Sequence, residues 1–318
     1  MAFKKIGILG GMGPEASANF YYKIIHYCQK NYHAVQDTDF PPLIIYSLPL
    51  FGFDESGIVD KKLVLQQLIH GVDILKNAGC DFVVIPCNTV HLFINDLRKN
   101  SSIPILCIME ETVKKMYLFS FMKLYRPQVD LFDVLIETDK GEAPSGNVSL
   151  RGNEATSEKT VKLHFRKLNK YKKIKQDNLG VVGLLGSDTT LKLQLYLELL
   201  NKNNICCISP KEEENPIITQ LILEVMSGKV ENKTKNNVLS IIKKMEQQSA
   251  NAIVLGCTEI PLAISQKDVN IKVYDTLQIL AESAVDFAIN DDPIMYKNQT
   301  QLLPSVDHAA LSASLRGI

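Results

Sequence analysis

The stretch KIGILGGMGPEASANFYYKII (5–25) decides the fold, because an apolar strand leads through a glycine turn directly into a helix. A second stretch, VVGLLGSDTTLKLQLYLELL (181–200), repeats the order of strand, glycine, small or polar turn and helix. Strands that lead into helices in this way build parallel sheets. The two stretches therefore predict two similar α/β lobes.

Short apolar runs alternate with segments of helical spacing along most of the chain. Strands are predicted at 6–9, 43–48, 82–86, 105–108, 181–185, 252–256 and 273–275. Helices are predicted at 15–30, 61–77, 91–99, 190–202, 215–227, 234–248 and 276–290. This alternation predicts an α/β protein with parallel sheets.

Composition and charge exclude several classes of protein. Lys plus Arg and Asp plus Glu are both 35, so net charge gives no attraction to nucleic acid or membranes. No window approaches the roughly 18 apolar residues of a membrane helix, and the N-terminal apolar run is too short for a signal peptide. Seven cysteines without a regular framework indicate a reduced, intracellular protein. We expect a soluble, cytoplasmic protein.

The chain divides into two lobes, an insertion and a tail. We expect the first lobe at 1–116 and the second at 179–275. The insertion 117–178, rich in Gly, Pro, Ser and Asn, is expected to be partly flexible, and the tail 291–318 belongs to neither lobe. Eight Lys or Arg lie between 159 and 175, with few aromatic residues for stacking on bases. A solvated basic face is therefore favoured over a nucleic-acid site.

Each predicted lobe places a cysteine after a later strand, in VIPCNTVH (84–91) and VLGCTEIP (254–261). Cys87 lies 77 residues after Gly10, and Cys257 lies 71 residues after Gly186. Duplicated α/β lobes place their functional loops at the carboxyl ends of the strands, facing a shared cleft. We therefore expect the two cysteine loops to meet.

Paired cysteines in such loops are suited to moving a proton on carbon. A thiol at a strand end before a helix start lies where backbone N–H groups favour the thiolate, below its usual pKa of about 8.5. Asn88 and the threonine hydroxyls beside the cysteines are donors for a carboxylate. One thiolate would remove a proton beside that carboxylate while the other thiol delivers one. The alternative, that both cysteines are small buried apolar residues, stays open on this pattern.

Two other sites are disfavoured by spacing. The glycines of GILGGMGPE (7–15) do not match the dinucleotide pattern G-x-G-x-x-G, and no suitably placed acidic residue follows the second strand. The turn is predicted instead to bring backbone N–H groups close to an anion. Cys87 and His91 have the spacing of a helical metal pair, but no second pair accompanies them. His91 is predicted to lie at a helix start near the cleft.

Five motifs in series resemble the aspartate/glutamate racemase family, and within it the aspartate racemases. They are GILGGMGPEAS (7–17), IPCNTVH (85–91), IMEETV (108–113), GLLGSDTT (183–190) and VLGCTEIPL (254–262), spread over about 1–116 and 178–290. The resemblance implies two similar Rossmann-like lobes with parallel sheets, related by a pseudo-two-fold axis, with a cleft between them. It also implies no pyridoxal phosphate, no metal, a homodimer, and a helix at 276–290 that packs back on the first lobe.

The resemblance assigns site residues to positions of this chain. Cys87 and Cys257 match the two acid/base residues of a racemase that acts on a small amino acid, aspartate or glutamate. Around the substrate, the matching positions are Met12, Asn88, Thr89, Thr258, Ser187 and Thr190. Alternatives with the same fold are an isomerase or decarboxylase of a carboxylate substrate, and a different class is a catalytically silent ligand-binding protein.

The chain departs from some aspartate racemases at the positions that bind the side-chain carboxylate of the substrate. Their arginine after the second strand is absent, and Asp54 lies near its place. Their lysine before the helix 215–227 falls near Pro216, and Lys211 is the substitute considered. Specificity for aspartate therefore does not follow from the motifs.

Overall fold

The computed structural model describes residues 3–54, 57–125 and 180–290. The strands before residue 126 are β1 (Ile6–Gly10), β2 (Leu43–Ser47), β3 (Phe53–Asp54), β4 (Gly57–Ile58), β5 (Phe82–Val84) and β6 (Ile105–Leu106). The helices there are α1 (Pro14–Tyr32), α2 (Lys61–Asn77), α3 (Ile94–Asn100) and α4 (Ile108–Tyr125), with 3-10 turns at Asp37–Asp39 and Thr89–Phe93.

The second described part has the same kinds of element. Its strands are β7 (Val181–Gly186), β8 (Cys206–Ile208), β9 (Ala250–Gly256) and β10 (Lys272–Asp275). Its helices are α5 (Asp188–Lys192), α6 (Leu197–Lys202), α7 (Asn215–Met226), α8 (Asn232–Gln247), α9 (Ile260–Ala263) and α10 (Thr276–Ile289), with a 3-10 turn at Glu212–Glu214.

Two four-stranded parallel sheets organise these elements. The first has the order β2-β1-β5-β6 and the second the order β8-β7-β9-β10. If the strands of each sheet are numbered one to four along the chain, both sheets have the order two, one, three, four. The predicted fold class, two similar α/β lobes with parallel sheets, is therefore confirmed. The cysteine loops follow equivalent strands, β5 and β9.

Apolar strands fill the centre of each sheet. All five residues of β1 are buried, as expected for a central parallel strand with helices on both faces. In the second sheet, Leu185 and Ile253 pack with Ile222 of α7 and Ile242 of α8, all 2% exposed or less. Burying a side chain of this size stabilises the fold by roughly 1.5–3 kcal/mol. The sheets therefore give the loops at their ends rigid supports.

Side-chain caps fix where several helices begin. Asp60 accepts from the N–H of Leu63 at the start of α2, over 2.9 Å. Asp275 accepts from the N–H of Gln278 at the start of α10, over 3.0 Å. A cap of this kind contributes about 1 kcal/mol. Because Asp275 ends β10 and caps α10, the chain turns from the second sheet into its last described helix without a loop.

Helix α10 lies against α1. Lys23 forms an ion pair with Asp275 over 2.9 Å, and Tyr32 donates a hydrogen bond to Asp286 over 2.7 Å. Tyr27 donates to the other oxygen of Asp286 over 3.3 Å. The described residues up to Lys115 and those from Gly180 to Asn290 form one compact unit that contains both sheets.

Some predicted segments lie outside the described residues. They are the predicted insertion 117–178 from residue 126 onward and the whole tail 291–318. The lobe boundaries stay predictions. Within the described ranges, no helix combines the length and apolar character needed to cross a bilayer.

Several elements differ from the sequence prediction, and the helices α4 and α9 were not predicted. The helix predicted at 190–202 is divided into α5 and α6, and Gln194 between them adopts a left-handed conformation with φ of 51°. The short strand β8 and the hairpin β3–β4 were not predicted, because two or three residues give no readable alternation. This hairpin matters below, since it carries Phe53 to the site.

Candidate active site

A pocket at the carboxyl ends of both sheets brings most of the predicted site residues together. Its described lining consists of Met12, Phe53, Cys87, Asn88, Thr89, Ser187, Cys257, Thr258 and Glu259. The space amounts to about 260 Å³, counting the open mouth. Of the predicted set only Thr190 is not in the lining, because it is fully buried behind Ser187. Phe53 and Glu259 were not predicted.

The two cysteines enter this pocket from equivalent loops. Cys87 follows β5 and is 5% exposed, and Cys257 follows β9 and is 7% exposed. In chain order, each is the third strand of its sheet, and each lies beside the first strand of that sheet. The predicted meeting of the two cysteine loops is therefore found in the structure.

His91 holds the Cys87 loop in place and is fully buried. Its Nε2 accepts from the N–H of Ile108 over 3.3 Å, so its Nδ1 must donate to the carbonyl of Cys87, 2.7 Å away. Burial lowers the pKa of His91 to about 4, so the imidazole is neutral near pH 7. With both nitrogens engaged, the Cys87–His91 pair is not arranged as a metal site. Among the described residues no cluster of three or more His, Cys, Asp or Glu could hold a metal ion.

Glu259 holds the Cys257 loop in a different way. Its Oε2 accepts from the Cys257 thiol over 3.0 Å and from the Thr258 hydroxyl over 3.1 Å. Its Oε1 accepts from the N–H of Gly13 in the other lobe over 3.3 Å. Glu259 is 4% exposed, so these contacts are shielded from water. A carboxylate that accepts from a thiol keeps the proton on sulfur.

The glycine turn after β1 is shaped by close backbone approach. Gly11 has φ of 95°, and a Cβ there would collide with the backbone of Leu48. Its N–H donates to Ser17 Oγ over 2.9 Å, and that hydroxyl donates to the carbonyl of Gly13 over 3.0 Å. The turn was predicted to bring N–H groups to an anion. The anion found there is the carboxylate of Glu259.

Three hydroxyl groups join the two lobes at the pocket. Thr89 Oγ1 lies 3.2 Å from Ser187 Oγ and 3.3 Å from Thr190 Oγ1. Ser187 and Thr190 are 3.0 Å apart, and Ser187 also accepts from the N–H of Thr190 over 3.3 Å at the start of α5. Thr190 therefore supports the lining from behind.

Asn88 is oriented by a tyrosine that no sequence pattern indicates. Tyr196 donates its hydroxyl to Asn88 Oδ1 over 2.6 Å, and Asn88 Nδ2 donates to Thr276 Oγ1 over 3.3 Å. Thr276 in turn donates to the carbonyl of Leu255 over 2.8 Å. Burial raises the pKa of Tyr196 well above its usual range, so its hydroxyl stays protonated. The Asn88 carbonyl and one of its two amide N–H bonds are therefore occupied, and the second N–H is the donor that Asn88 can offer to a ligand.

The other cysteines have different surroundings. Cys28, Cys80 and Cys107 are buried, whereas Cys206 is exposed and Cys207 is half-buried. Burial raises the pKa of Cys28 to about 11 and that of Cys107 to about 12. Thiols of this kind are poor sources of thiolate. None of these five lines the pocket.

The loops after the outer strands β2 and β8 differ in what they bring to the site. Phe53 lines the pocket, while the neighbouring Asp54 is exposed. Lys211 is exposed at the surface, with its Nζ 3.8 Å from Glu213. Pro216 lies in the first turn of α7. Lys211 is therefore not placed in the described lining, where a substitute for the missing lysine would have to be.

Comparisons with known proteins identify the family. The model of the Asp/Glu/hydantoin racemase family matches residues 9–120 and 170–284, more than half of the 318 residues. The broad-specificity amino-acid racemase RacX of Bacillus subtilis is 41% identical over 110 residues, which cover 35% of this chain and 48% of that protein. An uncharacterised protein of Pectobacterium carotovorum is 33% identical over 95 residues, 30% of this chain and 62% of that protein. The chain thus spans about half to three-fifths of the curated relatives it matches.

Solved structures share the fold at lower identity. An aspartate racemase homologue from Pyrococcus horikoshii superposes with a TM-score of 0.60 at 23% identity, covering 90% of this chain and 100% of the other. A putative Asp/Glu racemase from Yersinia pestis gives a TM-score of 0.61 at 22% identity, with the same coverage. The family that the motifs predicted is confirmed: the chain belongs to the Asp/Glu/hydantoin racemase family.

Proposed function

We propose that this protein is an amino-acid racemase that needs no cofactor and uses Cys87 and Cys257 as its two acid/base groups. One observation carries the proposal. Two cysteines from equivalent loops of two similar sheets line the same small pocket. A racemase needs two proton-transfer groups at one carbon, and a silent binding protein has no need of this pairing.

The neutral donors of the lining are suited to the α-carboxylate of the substrate. These are Asn88, Thr89 and Ser187, and each is buried to at least nine-tenths. Thr258 completes the neutral lining, with its hydroxyl donating to Glu259. In a shielded pocket such donors stabilise the charge that spreads onto the carboxylate when the Cα proton leaves. This stabilisation is necessary because a carbon beside a carboxylate is a very weak acid.

The two cysteines together account for both protons, the one removed from Cα and the one delivered to it. A thiolate takes the Cα proton and becomes a thiol, while the electron pair is delocalised into the carboxylate. The second thiol gives its proton to the opposite face of the carbon and becomes a thiolate. The product is the mirror image, and the enzyme is left with its two cysteines in exchanged protonation states, ready for the reverse reaction.

Glu259 gives this cycle a preferred starting point. Because it accepts a hydrogen bond from Cys257 over 3.0 Å, it favours the state in which Cys257 carries the proton. In a two-base mechanism, the state with the proton on Cys257 is the one in which Cys87 acts as the base. Substrates of the enantiomer that presents its proton to Cys87 meet an enzyme already in the productive state.

The relatives support an amino acid as the substrate, since the matched RacX is named a broad-specificity amino-acid racemase. The resemblance of the motifs favours aspartate or glutamate among them. We further propose that the protein works in the cytoplasm, in keeping with its seven cysteines, none of which forms a disulfide in the described structure. We also propose that it is a homodimer, as the resemblance to the family implies.

The proposal is tested by incubating the protein with single enantiomers of amino acids in deuterated water, followed by chiral separation and mass spectrometry. A racemase converts either enantiomer to a mixture of both and places one solvent deuterium at Cα of the newly formed one. A decarboxylase or another isomerase changes the constitution of the substrate instead. Loss of carbon dioxide, or no conversion at all by the wild-type protein, would overturn the assignment.

A further inference from the structure

We propose that the pocket selects amino acids with uncharged side chains, and that Phe53 determines this selectivity. The inference rests on the proposed racemase function and concerns the same pocket. It disagrees with the expectation of aspartate or glutamate, because the lining has the wrong charge for a second carboxylate.

The charged group of the lining is an anion. Among the described residues that form the pocket, none is Lys or Arg, and Glu259 is a carboxylate. A side-chain carboxylate would enter without a cationic partner in the described lining. Burying an unpaired ion or placing like charges together costs several kcal/mol. The pocket therefore disfavours a dicarboxylic amino acid.

The remaining lining assigns the groups of the substrate in a consistent way. The neutral donors are suited to the α-carboxylate, and Glu259 has the charge that complements the α-ammonium group. The two large apolar members, Met12 and Phe53, are then left for the side chain. Met12 is 7% exposed, so its surface is already largely withdrawn from water. Met12 and Phe53 would therefore form the apolar wall that a neutral side chain contacts.

Lysines on the segments after β7 and β8 are engaged at the surface instead. Lys192 pairs with Asp188 over 2.7 Å, and its side chain is 64% exposed. Lys211, 69% exposed, lies 3.8 Å from Glu213. Neither side chain belongs to the pocket lining. In the described part of the second lobe, these two cations are therefore paired with Asp188 and Glu213 outside the lining.

The first experiment measures kcat/KM of the wild-type protein for alanine, serine, methionine and leucine against aspartate and glutamate, by chiral analysis. We expect at least one neutral amino acid to exceed both dicarboxylic acids by about 10-fold or more. If aspartate or glutamate is racemised as well as any neutral substrate, this inference is overturned while the proposed function stands. If no member of the panel is racemised, the proposed function fails, and the inference with it.

The second experiment changes the wall. Phe53→Arg adds a guanidinium that binds a carboxylate through two hydrogen bonds, so the ratio of aspartate to neutral activity should rise at least 10-fold. Phe53→Leu is the matched control, because it keeps the wall apolar and should keep the preference for neutral substrates. An unchanged ratio in folded Phe53→Arg, checked by circular dichroism, would overturn the role of Phe53. If that variant does not fold, the wild-type panel alone decides the inference.

Discussion

The loops that carry Cys87 and Cys257 are equivalent in topology but not in chemistry. Each follows the third strand of a parallel sheet. In the first loop, the neutral imidazole of His91 binds the backbone carbonyl of the cysteine. In the second loop, the carboxylate of Glu259 binds the thiol itself. Duplication of a lobe thus places two thiols in one pocket, while the local partners decide how each sulfur holds its proton.

The largest effect is expected from removing either sulfur. Cys87→Ala and Cys257→Ala should each lower racemisation by at least about 1,000-fold, because one face of Cα loses its acid or base. Each variant still has one base, so it should exchange the Cα hydrogen with deuterated water without inversion. NMR would detect this exchange for one enantiomer in Cys87→Ala and for the opposite enantiomer in Cys257→Ala.

A matched control for these variants is Cys206→Ala, since Cys206 is exposed and does not line the pocket. It should racemise like the wild type. Exchange of the same enantiomer by both catalytic variants would show that the two thiols do not serve opposite faces.

The support of the first loop should appear in stability as a function of pH. Folding lowers the pKa of His91 to about 4, from about 6.5 in the unfolded chain. As pH falls, the unfolded state therefore binds the proton first. The contribution of His91 to the free energy of unfolding is complete above pH 6.5 and is lost as pH falls toward 4. The loss amounts to about 3 kcal/mol.

His91→Asn removes this titration, because Asn can donate to the Cys87 carbonyl but cannot be protonated. Urea unfolding should show that the stability difference between wild type and variant is largest at pH 7 and shrinks toward pH 4. His70→Asn, at an exposed helix position, serves as the control and should show little difference at any pH. A gap for His91→Asn that stays constant with pH would contradict the buried neutral state.

The support of the second loop should appear in the kinetics. Glu259→Gln should lower kcat/KM about 10- to 100-fold, because the carboxylate that holds the proton on Cys257 is replaced by a neutral amide. The two enantiomers are equal in free energy, so kcat/KM must fall equally in both directions, whereas kcat and KM can change unequally. The pH dependence of kcat/KM should also change, whereas a purely structural role of Glu259 would leave it unaltered.

The exposed Glu213→Gln is the comparison for that experiment, since the Glu213 side chain is 77% exposed. It should retain wild-type kinetics in both directions. An activity of Glu259→Gln within about 2-fold of the wild type, with the same pH profile, would remove Glu259 from the proposed mechanism.

A smaller effect is expected from Tyr196→Phe. The variant leaves the buried Asn88 carbonyl without its 2.6 Å hydrogen bond, at a cost of roughly 1–3 kcal/mol in stability. Activity should fall about 10-fold because the Asn88 amide is no longer held in one orientation. Thermal unfolding and steady-state kinetics check both effects, with the exposed Tyr22→Phe as the control. Unchanged activity would show that Asn88 needs no such support.

The smallest effect concerns the outer loops, where Phe53 reaches the pocket and Lys211 does not. Lys211→Ala should change kcat/KM by less than about 2-fold for every substrate, because its ammonium pairs with Glu213 at the surface. The chiral assay with the same amino-acid panel measures this. A selective loss for aspartate would instead bring Lys211 back as the substitute for the missing lysine.

The sequence predicted the lobes and the cysteine loops because buried strands, glycine turns and helical stripes follow from local patterns. Glu259 could have been predicted, because it lies two residues after Cys257 in the same loop. Tyr196 could not, because its contact with Asn88 joins residues 108 positions apart. Phe53 was missed for a related reason: the hairpin that carries it is too short to show a period.

The hydroxyls of Thr89, Ser187 and Thr190 carry one proton each, and each O–H can rotate about its C–O bond. An arriving carboxylate can therefore be solvated by turning protons that now point at neighbouring oxygens, with little movement of heavy atoms. The reorganisation energy of binding is then small. The same protons form the hydrogen bonds between the two lobes. A bound anion that attracts them takes them out of those bonds, so binding of substrate should weaken the hydrogen bonding between the lobes.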